Sequence, residues 1–167
     1  MSDNQVKMRP GTKADLPFFR EMLFEAMYWR PDQKRPPLDV GLQRPDAVYL
    51  LDGWGRTGDT AVIAATETGE KVGASWYRFW DDETHSYGYV SPDIPEVGIG
   101  VKPDCRGQGI GHQLIGVLLE TATAQGLKKV SLSVEMDNYA QKLYRRHGFE
   151  PIEQVENSWT MVVDLNR

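Results

Sequence analysis

Cysteine is nearly missing from this chain. Cys105 is the single one, so no disulfide can close within the chain, and a reducing cytoplasm is the expected compartment. No apolar run is long enough to span a membrane, and no signal-peptide apolar segment lies near the N-terminus. Basic residues are scattered and outnumbered, 19 Lys and Arg against 24 Asp and Glu, for a net charge of −5. With no basic stripe, a nucleic-acid surface is not expected, nor is a membrane partner. The mild acidity leaves room for a cationic substrate. Three dispersed histidines and one cysteine do not make a zinc site, so no metal is expected. No Gly-Lys-Ser or Gly-Lys-Thr occurs, which excludes a Walker A loop. Internal repeats and low-complexity tracts are also lacking.

The chain has 167 residues, the size of one domain with a core that needs no disulfide, so residues 1–167 are read as a single domain. It is organised around a strand that runs into a glycine-dense turn, Val97-Gly98-Ile99-Gly100-Val101 and then Arg106-Gly107-Gln108-Gly109-Ile110-Gly111-His112. The turn opens directly onto a helix predicted from Ile110 to Gln125, with Ile110, Leu114, Val117, Leu118 and Thr121 along one side and Gly126 as C-cap. The first N–H groups of a helix lack internal partners and carry partial positive charge, and glycines let an anion approach the main chain. The arrangement reads as a pyrophosphate seat on the N–H groups from Gly107 to His112. A dinucleotide fingerprint needs G-x-G-x-x-G, and in this turn the third glycine position falls on His112. A generic ATP- or NAD-binding domain is disfavoured on these grounds.

Upstream, Gln5 to Met8 is a short strand. Thr12 with Asp15 resembles a capping box ahead of a helix carrying Leu16, Phe19, Leu23 and Met27, with Pro17 in its first turn and Pro31 as its end. Arg30 to Pro45 is a proline-rich loop, Pro45 to Leu51 a second short helix, and Asp52 to Arg56 a turn. Tyr28, Trp29 and Trp54 are either walls of a substrate site or packing between helix and sheet. Thr60–Thr66 and Lys71–Phe79 form a hairpin. Asp81-Asp82-Glu83 is a solvated turn or a lure for an amine, and Tyr87 to Val90 is a further edge piece. Pro95 to Val101 is the strand before the glycine turn, its glycines marking a bulge or a close approach by backbone or ligand. Lys129–Met136 is a strand, the segment from Asn138 a helix ended by Gly148, and Phe149–Val155 with Ser158–Leu165 a closing hairpin. Strand-helix-strand from Val97 to Val134 implies one parallel pair in an otherwise antiparallel sheet.

Two segments resemble the GNAT superfamily of acetyl-CoA-dependent N-acetyltransferases. Arg106, Gly109 and Gly111 fill its [R/Q]-x-x-G-x-[G/A] pattern, and Asn138, Ala140, Leu143, Tyr144, Gly148 and Phe149 fill N-x-A-x-x-L-Y-x-x-x-G-F. The resemblance covers essentially the whole chain. It implies an α/β (α+β) fold with a mixed, mainly antiparallel sheet flanked by helices and a parallel strand pair around the cofactor site. It also implies acetyl-CoA as co-substrate, with the pantetheine arm along Ile99, Gly100 and Val101, and Asn138 against the cofactor. Tyr144 would donate to the departing sulfur, and Glu96 would serve as the base that frees the amine. The amine attacks directly in a ternary complex, with backbone N–H groups near Ile99 holding the oxyanion, and Cys105 takes no part. A thiol and a phenol differ enough that full proton transfer from an ordinary tyrosine costs about 2 kcal/mol, whereas neutralising a lysine-like amine at pH 7 costs about 4.6 kcal/mol. The base therefore faces the harder task. The expected acceptor is a small-molecule or peptide amine, and a homodimer is common in the family. A non-catalytic CoA-binding or regulatory module is the alternative, since it would keep the glycine turn without needing an acceptor site.

Overall fold

The computed structural model describes residues 5–166. Its order is β1 (Val6–Pro10), α1 (Leu16–Met27), α2 (Leu38–Gly41), β2 (Thr60–Thr66), β3 (Lys71–Arg78), β4 (Glu96–Val101), α3 (Ile110–Ala124), β5 (Lys129–Glu135), α4 (Gln141–Arg146), β6 (Glu150–Val155) and β7 (Ser158–Asp164). The seven strands form one sheet in the order β1-β2-β3-β4-β5-β7-β6. Every described pairing is antiparallel except β4 with β5.

Period-two alternation gives the sheet two apolar faces. Val62, Ala64, Val97 and Leu132 pack under α3 with Leu114, Ile115 and Leu118. Ala61, Ile63, Ala74 and Trp76 pack against α1 with Phe19, Met22 and Leu23. The start of α1 is pinned electrostatically. The Thr12 N–H donates to Asp15 at 2.8 Å, completing the capping box, and Arg9 and Lys71 reach the same buried carboxylate at 2.9 and 2.7 Å. Asp15 thereby ties β1, α1 and β3 together, and the Arg9 hydrogen bond leads in holding its carboxyl below the usual range.

Two expectations need correction. The second helix is at Leu38–Gly41, not Pro45–Leu51. Pro37 supplies an extended N-cap with a preset φ, and residues 44–51 are successive turns closed by bonds such as Ala47 N–H to Arg44 O at 2.9 Å. Tyr87–Val90 is not a strand; the carbonyls of Tyr87 and Gly88 accept instead from the hydroxyls of Thr160 and Ser131. Of the two readings of the β4 glycines, close approach holds and the bulge does not, because the register with β3 runs unbroken from Glu96↔Arg78 to Val101↔Gly73. These glycines answer to packing. A Cβ on Gly98 would sit 2.6 Å from the Trp76 ring, and one on Gly100 would sit 2.3 Å from the Met22 carbonyl oxygen of α1.

Candidate active site

The parallel pair β4–β5 is joined only at its beginning. Glu96 pairs with Ser131, and the Ser131 N–H donates to Pro95 O at 3.0 Å. Beyond that point no pairing continues among the described residues, and the strands part. Lys102 N–H donates to Val72 O, so the even-numbered residues of β4 direct their N–H and C=O groups to β3. By alternation, Ile99 and Val101 turn theirs into the gap. Gly100, expected to face the cofactor, spends its backbone groups on β3 and its bare Cα on α1.

The glycine turn follows at the end of the gap. Gly107 and Gly109 have φ of +77° and +83°, where a side chain would be strained, and a Cβ at either would meet nothing within 4 Å. Gly109 is the N-cap of α3, and the first bond into the helix is Gln113 N–H to Gly109 O at 3.1 Å. The N–H groups of Ile110, Gly111 and His112 precede it, as in any helix start. The space and the donors fit an anion. Gln108 is exposed, whereas the Ile110 side chain belongs to the core. Gly111 lets α4 approach, since a Cβ there would lie 3.3 Å from Leu143. Arg106 is tied down, its Nε donating to Val101 O at 3.3 Å and its Nη2 reaching Glu25 of α1 at 3.5 Å. His112 is exposed and shares a hydrogen bond with His147, ring nitrogen to ring nitrogen, at 2.9 Å. Burial, then the charges of His112 and Arg146, lower the His147 pKa.

A cavity of about 460 Å³ opens where the strands part, walled by Trp29, Trp76, Trp80, Glu96, Asn138 and Tyr144 among others. Tyr144 is buried on α4, against Phe149, and its hydroxyl has no hydrogen-bond partner among the described residues. Burial pushes its pKa up to about 12. The Asn138 carbonyl oxygen accepts the Ala140 N–H at 2.8 Å and so shapes the entry to α4. Glu96 comes from the opposite face of the sheet, alternating with Val97. It is partly buried, and it accepts from the Trp80 indole N–H at 3.0 Å and the Gly88 N–H at 3.2 Å. Burial raises its pKa to about 7, against the pull of Trp80, Gly88 and Ser86 as donors. It is therefore not a plain exposed strand-end carboxylate.

Several contributors escape a sequence reading. Trp76, Arg78 and Trp80 recur at spacing two, and that alternation is the signal that they share the α1 face. Arg78 is 1% exposed and locked to the equally buried Asp59 at 2.9 and 2.7 Å, with a further bond to Asp52 O at 2.7 Å. It holds the segment between α2 and β2 to the sheet. That segment also contains Gly53-Trp54-Gly55-Arg56-Thr57-Gly58, a G-x-G-x-x-G spacing that a reading centred on residues 107–111 overlooks. Its context is wrong for a dinucleotide loop. It leads into a strand, and the Asp59 carboxylate already takes the N–H groups of Gly55 and Arg56 at 2.9 and 3.1 Å. Of the three aromatics considered as walls, Tyr28 and Trp54 are core and only Trp29 reaches the cavity. The Asp81–Glu83 stretch is exposed, its Asp81 carboxylate accepting from Glu83 and Thr84 N–H groups. Burial raises the Cys105 thiol, the reverse of what a nucleophile needs.

Comparison with known proteins agrees with this geometry. The profile described as Acetyltransferase (GNAT) family matches residues 20–149. An L-methionine sulfoximine/L-methionine sulfone acetyltransferase of Pseudomonas paraeruginosa is 36% identical over 101 residues, 60% of this chain and 56% of that protein. A mycothiol acetyltransferase of Jonesia denitrificans is 31% identical over 135 residues, 80% of this chain and 39% of that protein. The chain thus spans about half the length, or less, of these curated relatives. Among solved structures, PaiA N-acetyltransferase from Thermoplasma acidophilum in complex with coenzyme A superposes with a TM-score of 0.72 at 15% identity, covering 96% of this chain and 99% of that one, which shows the shared fold. Glycine turn, parted strands and family match concur, and the chain belongs to the acetyltransferase (GNAT) family.

Proposed function

We propose that this chain transfers the acetyl group of acetyl-CoA to a primary amine by direct attack in a ternary complex. The observation that carries the proposal is the meeting of Tyr144 and Glu96, from opposite faces of the sheet, in one cavity at the point where β4 and β5 part. When bound, the co-substrate supplies an activated acetyl thioester. Its pyrophosphate is read on the N–H groups from Gly107 to His112, beside Arg106 and Gln108. Its pantetheine arm is read along the backbone groups that Ile99 and Val101 turn into the gap, the Val101 carbonyl already accepting from Arg106, and on toward Asn138 and Tyr144.

Glu96 accepts the proton that the amine must lose, directly or through water. Its pKa near 7 suits a base working at neutral pH. The amine nitrogen forms its bond to the acetyl carbon, and the oxyanion that develops is met by main-chain N–H groups of β4. As the carbon–sulfur bond breaks, Tyr144 donates its hydroxyl hydrogen toward the sulfur. With the phenol near 12 and a solution thiol near 8.5, complete transfer is uphill by about 5 kcal/mol. A thiolate desolvated in the same cavity is itself more basic, which narrows that gap. Tyr144 then acts as a hydrogen-bond donor in the transition state and hands over its proton late.

A non-catalytic CoA-binding module would need no room for an acceptor, whereas here Tyr144, Trp29 and Trp80 line one cavity together. The chain is further read as one domain acting in the cytoplasm on a small-molecule or peptide amine, as a possible homodimer. Among the described residues, no helix is long and apolar enough to cross a membrane. Calorimetric titration with acetyl-CoA, with ATP and NAD as controls, tests the co-substrate. Saturable binding of acetyl-CoA alone supports the reading, and binding of a control in its place would end it.

A further inference from the structure

The cavity beyond Tyr144 has a charge pattern that constrains the acceptor. Trp29, Trp76 and Trp80 line it together with Leu23, Ala26 and Met27, beside a polar share of similar extent. Among the described residues, only two cations line it, Arg44 and Arg78. Both are already neutralised. Arg78 makes its two-point pair with Asp59, and Arg44 makes one with Asp46 at 3.1 and 2.7 Å. Carboxylates fare differently. Glu135 shares the single cation Arg30 with Asp137, at 2.5 and 2.6 Å. Glu96 and Glu156 also line the cavity, and neither forms an ion pair with a cation among the described residues.

A carboxylate carried into this space would lose water, find every lining cation engaged, and face Glu96 and Glu156 besides. Such a charge is costly to bury without a partner. A protonated or neutral amine meets the opposite field, and an apolar body finds indole surfaces. We propose that the acceptor is a primary amine with an apolar or aromatic body and no carboxylate beside the amino group, in preference to an α-amino acid. This inference rests on the acetyl-transfer reading above.

The test uses matched pairs that differ only by the carboxylate: phenethylamine against phenylalanine, and isoamylamine against leucine. Turnover is followed as free thiol released from acetyl-CoA. The decarboxylated member of each pair is the more basic amine, so a preference for it cannot come from easier deprotonation. The expected result is a kcat/KM for the amine that exceeds that of the acid about tenfold or more in both pairs. Equal rates, a preference for the acid in either pair, or no turnover of either member by protein that binds acetyl-CoA would overturn the inference. Calorimetry with acetyl-CoA is run alongside; failure to bind it removes the acetyl-transfer reading itself, and this inference with it.

Discussion

Glu96→Gln separates a buried base from a surface carboxylate, and it can be measured before any acceptor is known. In the folded protein the Glu96 carboxyl is raised from the ordinary 4.5 to about 7, chiefly by burial. Between those values the folded chain holds a proton that the unfolded chain has released. Stability therefore falls as pH rises through this window, and the loss is complete above the folded pKa. At about 1.4 kcal/mol per pH unit the loss amounts to about 3 kcal/mol; partial access to water through the cavity lowers the expectation to about 2 kcal/mol. A glutamine amide cannot ionise, so the Glu96→Gln variant escapes the loss. The Trp80 N–H bond can persist to the amide oxygen, while the Gly88 N–H faces a poorer partner, an effect independent of pH. Urea unfolding of both proteins at pH 5 and pH 8 gives the quantity required. The stability of Glu96→Gln relative to the parent should improve by about 2 kcal/mol between the two. A difference that stays constant within about 0.5 kcal/mol would show that Glu96 titrates like a solvated carboxylate, and the case for it as a neutral-pH base would fall.

The same burial predicts kinetics and binding. With an acceptor amine of low basicity, kcat/KM should rise with pH to a plateau with an apparent pKa near 7 and should be about tenfold below the plateau one unit under it; a flat profile from pH 5.5 to 8 contradicts this. Tyr144→Phe should lower kcat about a hundredfold with acetyl-CoA affinity unchanged, and unaltered kcat removes the donor role. Gly109→Val places a β-branched residue at φ +83° and a side chain where the phosphates are read; calorimetry should show acetyl-CoA binding weakened at least about tenfold, with a stability cost of about 1–3 kcal/mol, and intact affinity would sink the phosphate seat. Arg78→Met removes the two-point partner of the buried Asp59, leaving Arg56 at 4.0 Å, and should destabilise the fold by about 3–5 kcal/mol in urea unfolding; a loss under about 1 kcal/mol would mean that Arg56 or water takes over the Asp59 charge.

What the sequence determined by itself was local. The phosphate seat proposed above needs glycines at positive φ followed by a helix start, and both requirements are written in consecutive residues from Gly107 to Gly111. The paired strands, the one parallel connection and the helices α1, α3 and α4 followed from periodicity and caps, because alternation and 3.6-residue spacing are properties of the chain. Pro36-Pro37 just ahead of Leu38 is a legible helix start as well, and it competes with Pro45 for the same short helix. Tertiary structure decided the rest, because the forces involved act between residues far apart in sequence. Glu96 looks like any strand-end glutamate until Trp80, Ser86 and Gly88 close around it and burial raises its pKa. Tyr87–Val90 has strand-like residues, yet Ser131 and Thr160 claim its carbonyls. The glycines of β4 serve the approach of Met22 and Trp76, not a bulge. Whether Arg44 and Arg78 were free for a substrate could not be read from their positions; only folding brought Asp46 and Asp59 onto them and left the cavity, among the described residues, without a cation to spare.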